Sequence, residues 1–149
     1  MEQVYISHSE EDTAELARKL ASITQKGDVW ALSGTLGMGK SVFARAFIQQ
    51  LSAADEVPSP TFTLVQTYDA KKFTIYHYDL YRIKAAEEIF ELGVEEAFYE
   101  GVSLIEWPEK MAQYAPRNMW HIRFEPDGNG RKITIKSDDK LKMQRLANV

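Results

Sequence analysis

Apolar residues along this chain recur in two periods, and the changes between them divide it into elements. Leu16, Leu20 and Ile23 fall at helical spacing. Ser9 ahead of them reads as the N-cap, and Glu10, Glu11 and Asp12 suit the positive end of a helix dipole. Gly27 is the expected stop. Asp28 to Ser33, "DVWALS", is a short apolar run that predicts a buried strand. A glycine-rich stretch follows at once. Ser41 to Leu51, "SVFARAFIQQL", then returns to helical periodicity through Val42, Ala46, Ile48 and Leu51.

Residues 55 to 61, "DEVPSPT", form a loop punctuated by Pro58 and Pro60. Phe62 to Tyr68 and Phe73 to Asp79 are rich in β-branched and aromatic residues and flank "DAKK", which predicts a hairpin. Ala85 to Leu92 and Val94 to Tyr99 predict two short helices, each closed by a glycine, Gly93 and Gly101. "VSLIEW", 102 to 107, is a second buried-type strand ended by Pro108, and a short helix over 109 to 114 follows. Trp120 to Phe124 and Lys132 to Ser137 flank the turn "PDGNGR". The tail, "KLKMQRLANV" from Lys140, is either a terminal helix or a frayed end. Strands alternating with helices, with a hairpin between, predict a layered α/β fold with a mixed sheet.

Composition narrows the class. A chain of 149 residues is expected to form one domain with a substantial core. No apolar run reaches the length of a membrane span, and the acidic start lacks a signal-like apolar region, so a cytoplasmic protein without membrane contact is expected. Cysteine is absent, which excludes disulfides and thiolate metal sites. A formal charge of −4 argues against bulk electrostatic wrapping of nucleic acid, while leaving a role in an RNA pathway open through a basic partner.

The chemistry concentrates in "GTLGMGKS", which spells G-x-x-x-x-G-K-S through Gly34, Gly39, Lys40 and Ser41. Glycines let the backbone bend so that N–H groups point at phosphate oxygens, and the following helix presents its positive end to the same anion. Lys40 is placed to reach the β- and γ-phosphates, and Ser41 to offer its hydroxyl to Mg²⁺. The strand before and the helix after are the context that separates a phosphate loop from a chance glycine-rich turn. A second metal contact is expected from an acid at the carboxyl end of a neighbouring strand. Asp79, ending "FTIYHYD", and Glu106, ending "VSLIE", both have that form, and spacing alone does not choose between them.

The motifs "GTLGMGKS", "SPTFTLVQTY", "YHYDLYR" and "LIEWPE", in this order and at these intervals, resemble the TsaE (YjeE) family over roughly residues 5 to 135. These are small bacterial P-loop ATPases of tRNA threonylcarbamoyladenosine (t6A) synthesis. The resemblance implies a three-layer P-loop NTPase fold with a mixed, largely parallel central sheet. It implies that Gly34, Thr35, Leu36, Gly37, Met38, Gly39, Lys40 and Ser41 bind ATP phosphates, that Val42 also contacts the nucleotide, and that Ser41 and Glu106 hold Mg²⁺. Asp79 would lie near the γ-phosphate and the attacking water, beside a switch-like "SPTFT" containing Thr61. Lys40, Asp79 and Glu106 are then the expected catalytic group. Arg131, and the first helix near Glu10 and Thr13, are expected on the adenine or ribose side, and Trp107 beside the site. The implied partners are TsaD and TsaB, with tRNA reached through that complex, and a monomer when alone. Met38 stands where the family often has alanine, which crowds the loop but leaves its glycines and lysine in place.

Other residues carry weaker signals. His77 would share a strand face with Asp79 and could orient it, although a hydrogen-bonded structural histidine is the commoner role. His8, His77 and His121 show no zinc-ligand spacing. Tyr76, Tyr78 and Tyr81 suit a half-buried strand and its exit turn better than a base-stacking platform. Arg82 is either an arginine finger or an ion-pair partner. The acidic stretch "AAEEIFELGVEEAFYEG" reads as a solvated face over core, or as a docking surface for a basic partner. Two other functions remain: a small-molecule kinase, disfavoured because the seven arginines are scattered and form no lid, and a nucleotide-dependent interaction module. A GTPase is disfavoured further, since no N-K-x-D segment occurs.

Overall fold

A computed structural model of the chain describes residues 2–34 and 37–147. Among the described residues there are seven strands: β1 (Glu2–Ser7), β2 (Val29–Gly34), β3 (Val65–Asp69), β4 (Thr74–Asp79), β5 (Val102–Glu106), β6 (Trp120–Asp127) and β7 (Gly130–Lys136). They form one sheet in the order β1-β7-β6-β2-β5-β4-β3. The four central strands pair in parallel, β6 with β2, β2 with β5, and β5 with β4. The flanking pairs, β1 with β7, β7 with β6 and β4 with β3, are antiparallel. The sheet is therefore mixed, with only β3 and β7 opposing the common direction.

Helices α1 (Glu10–Ile23), α2 (Lys40–Leu51) and α4 (Lys140–Ala147) cover one face, and α3 (Val94–Glu100) with the 3-10 segments Ala86–Leu92 and Pro108–Tyr114 covers the other. The period of two in a strand explains the division. Trp30 and Leu32 of β2 point to Leu20, Phe43 and Phe47, whereas Val29 and Ala31 point to Ile89, Val94 and Met111. Every residue of β5 is buried, as a central strand covered on both faces requires. Trp30 and Trp120, paired across β2 and β6, stack at 4.5 Å between centroids. Such a pair adds about 0.5–1.5 kcal/mol beyond its buried area. Tyr78 lies wholly inside the second cluster, where burial pushes its hydroxyl well above the usual tyrosine range and the O–H donates to the Leu92 carbonyl at 3.1 Å.

Several boundaries differ from the sequence expectation for identifiable reasons. The Ser9 side chain accepts from Asp12 N at 3.1 Å, as an N-cap should. However, α1 ends at Ile23 rather than running on to Gly27. Asp28 draws the chain out of the helix, because its carboxylate accepts from Gln25 N and the Thr24 hydroxyl. Phe62 to Leu64 are not strand: Leu64 N donates to the Pro60 carbonyl, and Leu64 is left-handed at φ 69°. Ala86–Leu92 and Pro108–Tyr114 are 3-10 rather than α-helical. Strand β1, not anticipated, pairs with β7 at the sheet edge.

The C-terminal tail is a docked helix. Met143 and Leu146 enter the core beside α1. Arg145 donates to both oxygens of buried Asp28 at 2.9 Å, and Lys142 lies 3.6 Å from the same carboxylate. Arg145 also caps the Ile23 carbonyl at 2.8 Å, so a single side chain ties α4 to the end of α1 and the start of β2. Removing one partner of a buried pair leaves the other charge uncompensated, at a cost of about 3–5 kcal/mol. With Lys142 still in place, Arg145→Ala is expected to lower the unfolding free energy by about 3 kcal/mol, measured by urea denaturation. A loss under about 0.5 kcal/mol, the size usual for exposed pairs, would show that the pair is not a clamp.

Candidate functional site

The site begins where β2 leaves the sheet. Gly34 pairs with Phe124 of β6 and has φ 131°. A β-carbon there would lie 2.3 Å from the Phe124 carbonyl oxygen, so no side chain fits. Gly37 and Gly39 have φ 81° and 105°, left-handed values that let the chain turn tightly into α2. Thr35 and Leu36, expected phosphate contacts, lie outside the described residues. The Phe43 N–H donates to the Gly39 carbonyl at 2.9 Å, which starts the helical ladder. The N–H groups of the first turn, ahead of Phe43, have no carbonyl partner within the helix and carry its positive dipole end.

Lys40 is buried, an unusual state for an ammonium group. Its Nζ donates to the Gly34 carbonyl at 2.8 Å and lies 5.3 Å from the centre of the Trp107 ring. Trp107 holds that position from a left-handed backbone, φ 60° and ψ 52°, which costs a bulky residue about 1–3 kcal/mol. Tyr81 packs against the same ring, centroid to centroid at 4.9 Å.

A cleft of about 340 Å³ opens at the carboxyl ends of the central strands. Residues Gly37 to Val42, Met38 and Val42 among them, line it together with Glu106. Asn129, Gly130 and Arg131, and Ser7 to Glu10 with Thr13, complete the lining. Arg131 reaches the glycine loop directly, through a long 3.4 Å contact from its guanidinium to the Gly37 carbonyl. Glu10, Thr13 and Arg131, expected on the side away from the phosphates, thus share the cleft with the loop. Ser7, His8 and Asn129 also line it and were not anticipated. Ser7 follows from β1, whose edge pairing had no strong signal in the sequence.

The two candidate acids end adjacent strands in register, Asp79 opposite Glu106, yet their surroundings differ. Glu106 lines the cleft together with Lys40 and Ser41. Its Oε2 pairs with His77 Nε2 at 3.0 Å. Asp79 stands outside the cleft lining, and both of its oxygens are engaged: Oδ2 accepts from the Thr61 hydroxyl at 3.1 Å and Oδ1 from Tyr81 N at 3.0 Å. Thr61 is bonded in turn to the Ser59 hydroxyl at 2.7 Å, so the "SPTFT" segment hangs on Asp79. Arg82 is not among the residues lining the cleft, and its guanidinium lies 5.1 Å over exposed Phe62 of that segment. Tyr76 and Tyr78 stack on each other, with Tyr78 inside the core on the opposite sheet face, so they form no platform in the cleft.

Among the described residues, no group of three or more His, Asp or Glu side chains could enclose a metal. Among the oxygen groups lining the cleft, the Glu106 carboxylate at a strand end and the Ser41 hydroxyl in the first turn of α2 make a hard oxygen set suited to a cation that keeps its remaining places for phosphates and water, and Ser7, Ser9, Glu10 and Thr13 add further oxygens to the lining. No helix of the described residues is long and apolar enough to cross a membrane.

A glycine-rich turn from a central strand into a helix, at the carboxyl ends of a parallel sheet core covered on both faces, defines the three-layer P-loop NTPase class of α/β fold. The fold matches the crystal structure of Bacillus subtilis YdiB with a TM-score of 0.81, covering 99% of this chain and 93% of that one at 24% identity. Residues 7–133 match the family described as "Threonylcarbamoyl adenosine biosynthesis protein TsaE", and the chain belongs to that family. It is 49% identical to the tRNA threonylcarbamoyladenosine biosynthesis protein TsaE of Rickettsia felis, over 87% of this chain and 77% of that protein. The protein of the same name from Bacillus subtilis is 35% identical, over 84% of this chain and 79% of its own length.

The close approach at Gly34 generates a direct test. Gly34→Ala must move β6 or the loop, and is expected to lower the melting temperature by roughly 5 °C or more, equivalent to about 2 kcal/mol in a chain of this size. An unchanged melting curve would contradict the packing of Gly34 on Phe124.

Proposed function

We propose that this chain is the Mg²⁺-dependent, ATP-binding and ATP-hydrolysing component of the t6A modification machinery, acting in the cytoplasm with TsaD and TsaB and reaching tRNA through them. The observation that carries the reading is the meeting of Lys40, Ser41 and Glu106 in one cleft at the start of α2. The family supplies the biosynthetic setting.

In this reading the N–H groups at the start of α2 receive phosphate oxygens, and Lys40 exchanges the Gly34 carbonyl for the β- and γ-phosphates. The exchange is short, because the ammonium group already sits at the loop. Ser41 and Glu106 would hold Mg²⁺, which neutralises charge on the phosphate oxygens. Glu106 is favoured over Asp79 for this role because it faces the cleft, whereas Asp79 is occupied by Thr61 and Tyr81 N. Asp79 then acts one step away, releasing or holding Thr61 and orienting the water that attacks the γ-phosphate. Met38, Val42 and Arg131 would contact the nucleotide from the loop and the facing hairpin.

A second reading, a nucleotide-dependent interaction module with hydrolysis incidental, draws on the segment tied to Asp79. It carries Phe62, 84% exposed, with Arg82 stacked above it. A change at Thr61 would move an exposed aromatic contact. The two readings part on whether a variant that binds ATP but does not hydrolyse it still supports modification.

Two experiments follow. Lys40→Ala removes charge-assisted bonds worth about 1.5–3 kcal/mol, so ATP affinity should fall roughly ten- to a hundredfold. In the same calorimetric series, Glu106→Ala should lose the gain in affinity that Mg²⁺ confers. Asp79→Ala should bind within about threefold of the parent while hydrolysis falls by roughly a hundredfold, the usual worth of a positioned acid or base. Equal affinity with and without Mg²⁺ in the parent would remove the metal assignment. Separately, slow hydrolysis by the chain alone should change on adding TsaD, TsaB and tRNA. Indifference to all three would leave a phosphate-binding protein without the proposed partners, and phosphoryl acceptors would be screened next.

A further inference from the structure

His77 has one polar partner among the described residues, the Glu106 carboxylate at 3.0 Å. The side chain is 3% exposed, and its other nitrogen, Nδ1, is buried without a hydrogen-bond partner. A histidine kept for stability satisfies both ring nitrogens, since a buried polar atom left unpaired is a net loss. An apolar residue of the same volume would serve the core better at this point, beside Leu104 across β5 and Ile75 on the same face of β4. The histidine is therefore explained by what its single bond does.

That bond acts on orientation. A carboxylate oxygen only accepts, so His77 Nε2 carries the hydrogen and donates it to Oε2. No other side-chain hydrogen bond to the Glu106 carboxylate exists among the described residues, and glutamate has three rotatable bonds with which to wander. Fixing one oxygen leaves the other without a side-chain partner among the described residues, in a residue that lines the same cleft as Ser41. Asp79 holds its own carboxylate with a backbone N–H and a hydroxyl, so the two strand-end acids are anchored by different donors.

We propose that His77 is a positioning residue for Glu106, holding the carboxylate in the orientation that a Mg²⁺ ion bound with ATP requires. The proposal rests on the assignment of Glu106 as the metal-holding acid. Donors that orient metal ligands are typically worth ten- to a hundredfold in metal affinity.

The test compares three variants by calorimetric ATP titration, each in Mg²⁺ and in EDTA, with a melting curve for each. His77→Leu fills the apolar site without a donor. His77→Asn carries an amide too short to reach Glu106, and His77→Gln can place an amide N–H where Nε2 stood. The Mg²⁺-dependent gain in ATP affinity should fall about tenfold in the leucine and asparagine variants and be largely kept by glutamine, while affinity in EDTA stays at the parent value. That pattern should hold even if the leucine protein melts higher than the parent. The proposal is overturned if all three variants keep the parent's gain, or if the gain falls equally in all three in step with melting temperature. Should the leucine variant fail to fold, the contrast between glutamine and asparagine decides alone. A parent with no Mg²⁺-dependent gain, or a Glu106→Ala variant that retains it, would remove the metal reading itself and this proposal with it. A normal parent and a defective Glu106→Ala beside three unaffected His77 variants would remove only this proposal.

Discussion

The contact between Gly34 and the Phe124 carbonyl is the constraint on which the site depends. Strand β2 pairs with β5 over Val29–Leu32 and with β6 over Trp30–Gly34, burying Trp30 and Leu32, and ends at Gly34. The pairing brings Phe124 so close that only a residue without a β-carbon can stand at 34, in a backbone conformation that only glycine adopts freely. From there the loop has to return its lysine to the point of departure. Lys40 does so, bonding the Gly34 carbonyl across the turn. The turn, the helix start and the buried ammonium group are one arrangement, and each loses its position if the sheet beneath it shifts.

Around that turn the protein sorts two similar acids into different situations. Asp79 and Glu106 end neighbouring parallel strands in the same register, and nothing in their own side chains separates them beyond a methylene. What differs is the next layer. The proline-punctuated segment folds back so that Thr61 meets Asp79, while the Tyr81 amide closes its other oxygen. Glu106 is one strand nearer the glycine loop and opens on the cleft. Trp107, the following residue, is forced into a left-handed backbone and lays its ring beside the lysine. Strain at that residue sits beside the cleft, where stored strain is common in functional sites.

The architecture was largely legible because its signals were local. The apolar runs over 29–33 and 102–106, the Ser9 cap and the helical period after Ser41 each report on a few consecutive residues, and the structure places elements there. Strand β1 was missed because an edge strand carries a weak pattern, with Val4 and Ile6 still half exposed, and gains its hydrogen bonds only from β7 at the far end of the chain. The tail could not be judged for the same reason. Its anchor, Asp28, lies 117 residues from Arg145. The two 3-10 segments have helical composition, and the second is interrupted by a non-helical backbone at Ala112.

For the candidate site the division is sharper. By itself the sequence determined the loop, since glycine spacing, a lysine and a hydroxyl before an amphipathic helix are properties of adjacent residues. It also determined the family resemblance and the pair of acids at strand ends. Only the tertiary structure decided which acid faces the cleft, that the N-terminal Ser7 to Thr13 and the Asn129 to Arg131 turn complete it, and that His77 serves Glu106 rather than Asp79. The physical reason is distance along the chain. Alternation along β4 puts His77 and Asp79 on one face, but pairing with β5, 29 residues away from His77, is what brings a second carboxylate within reach of the ring.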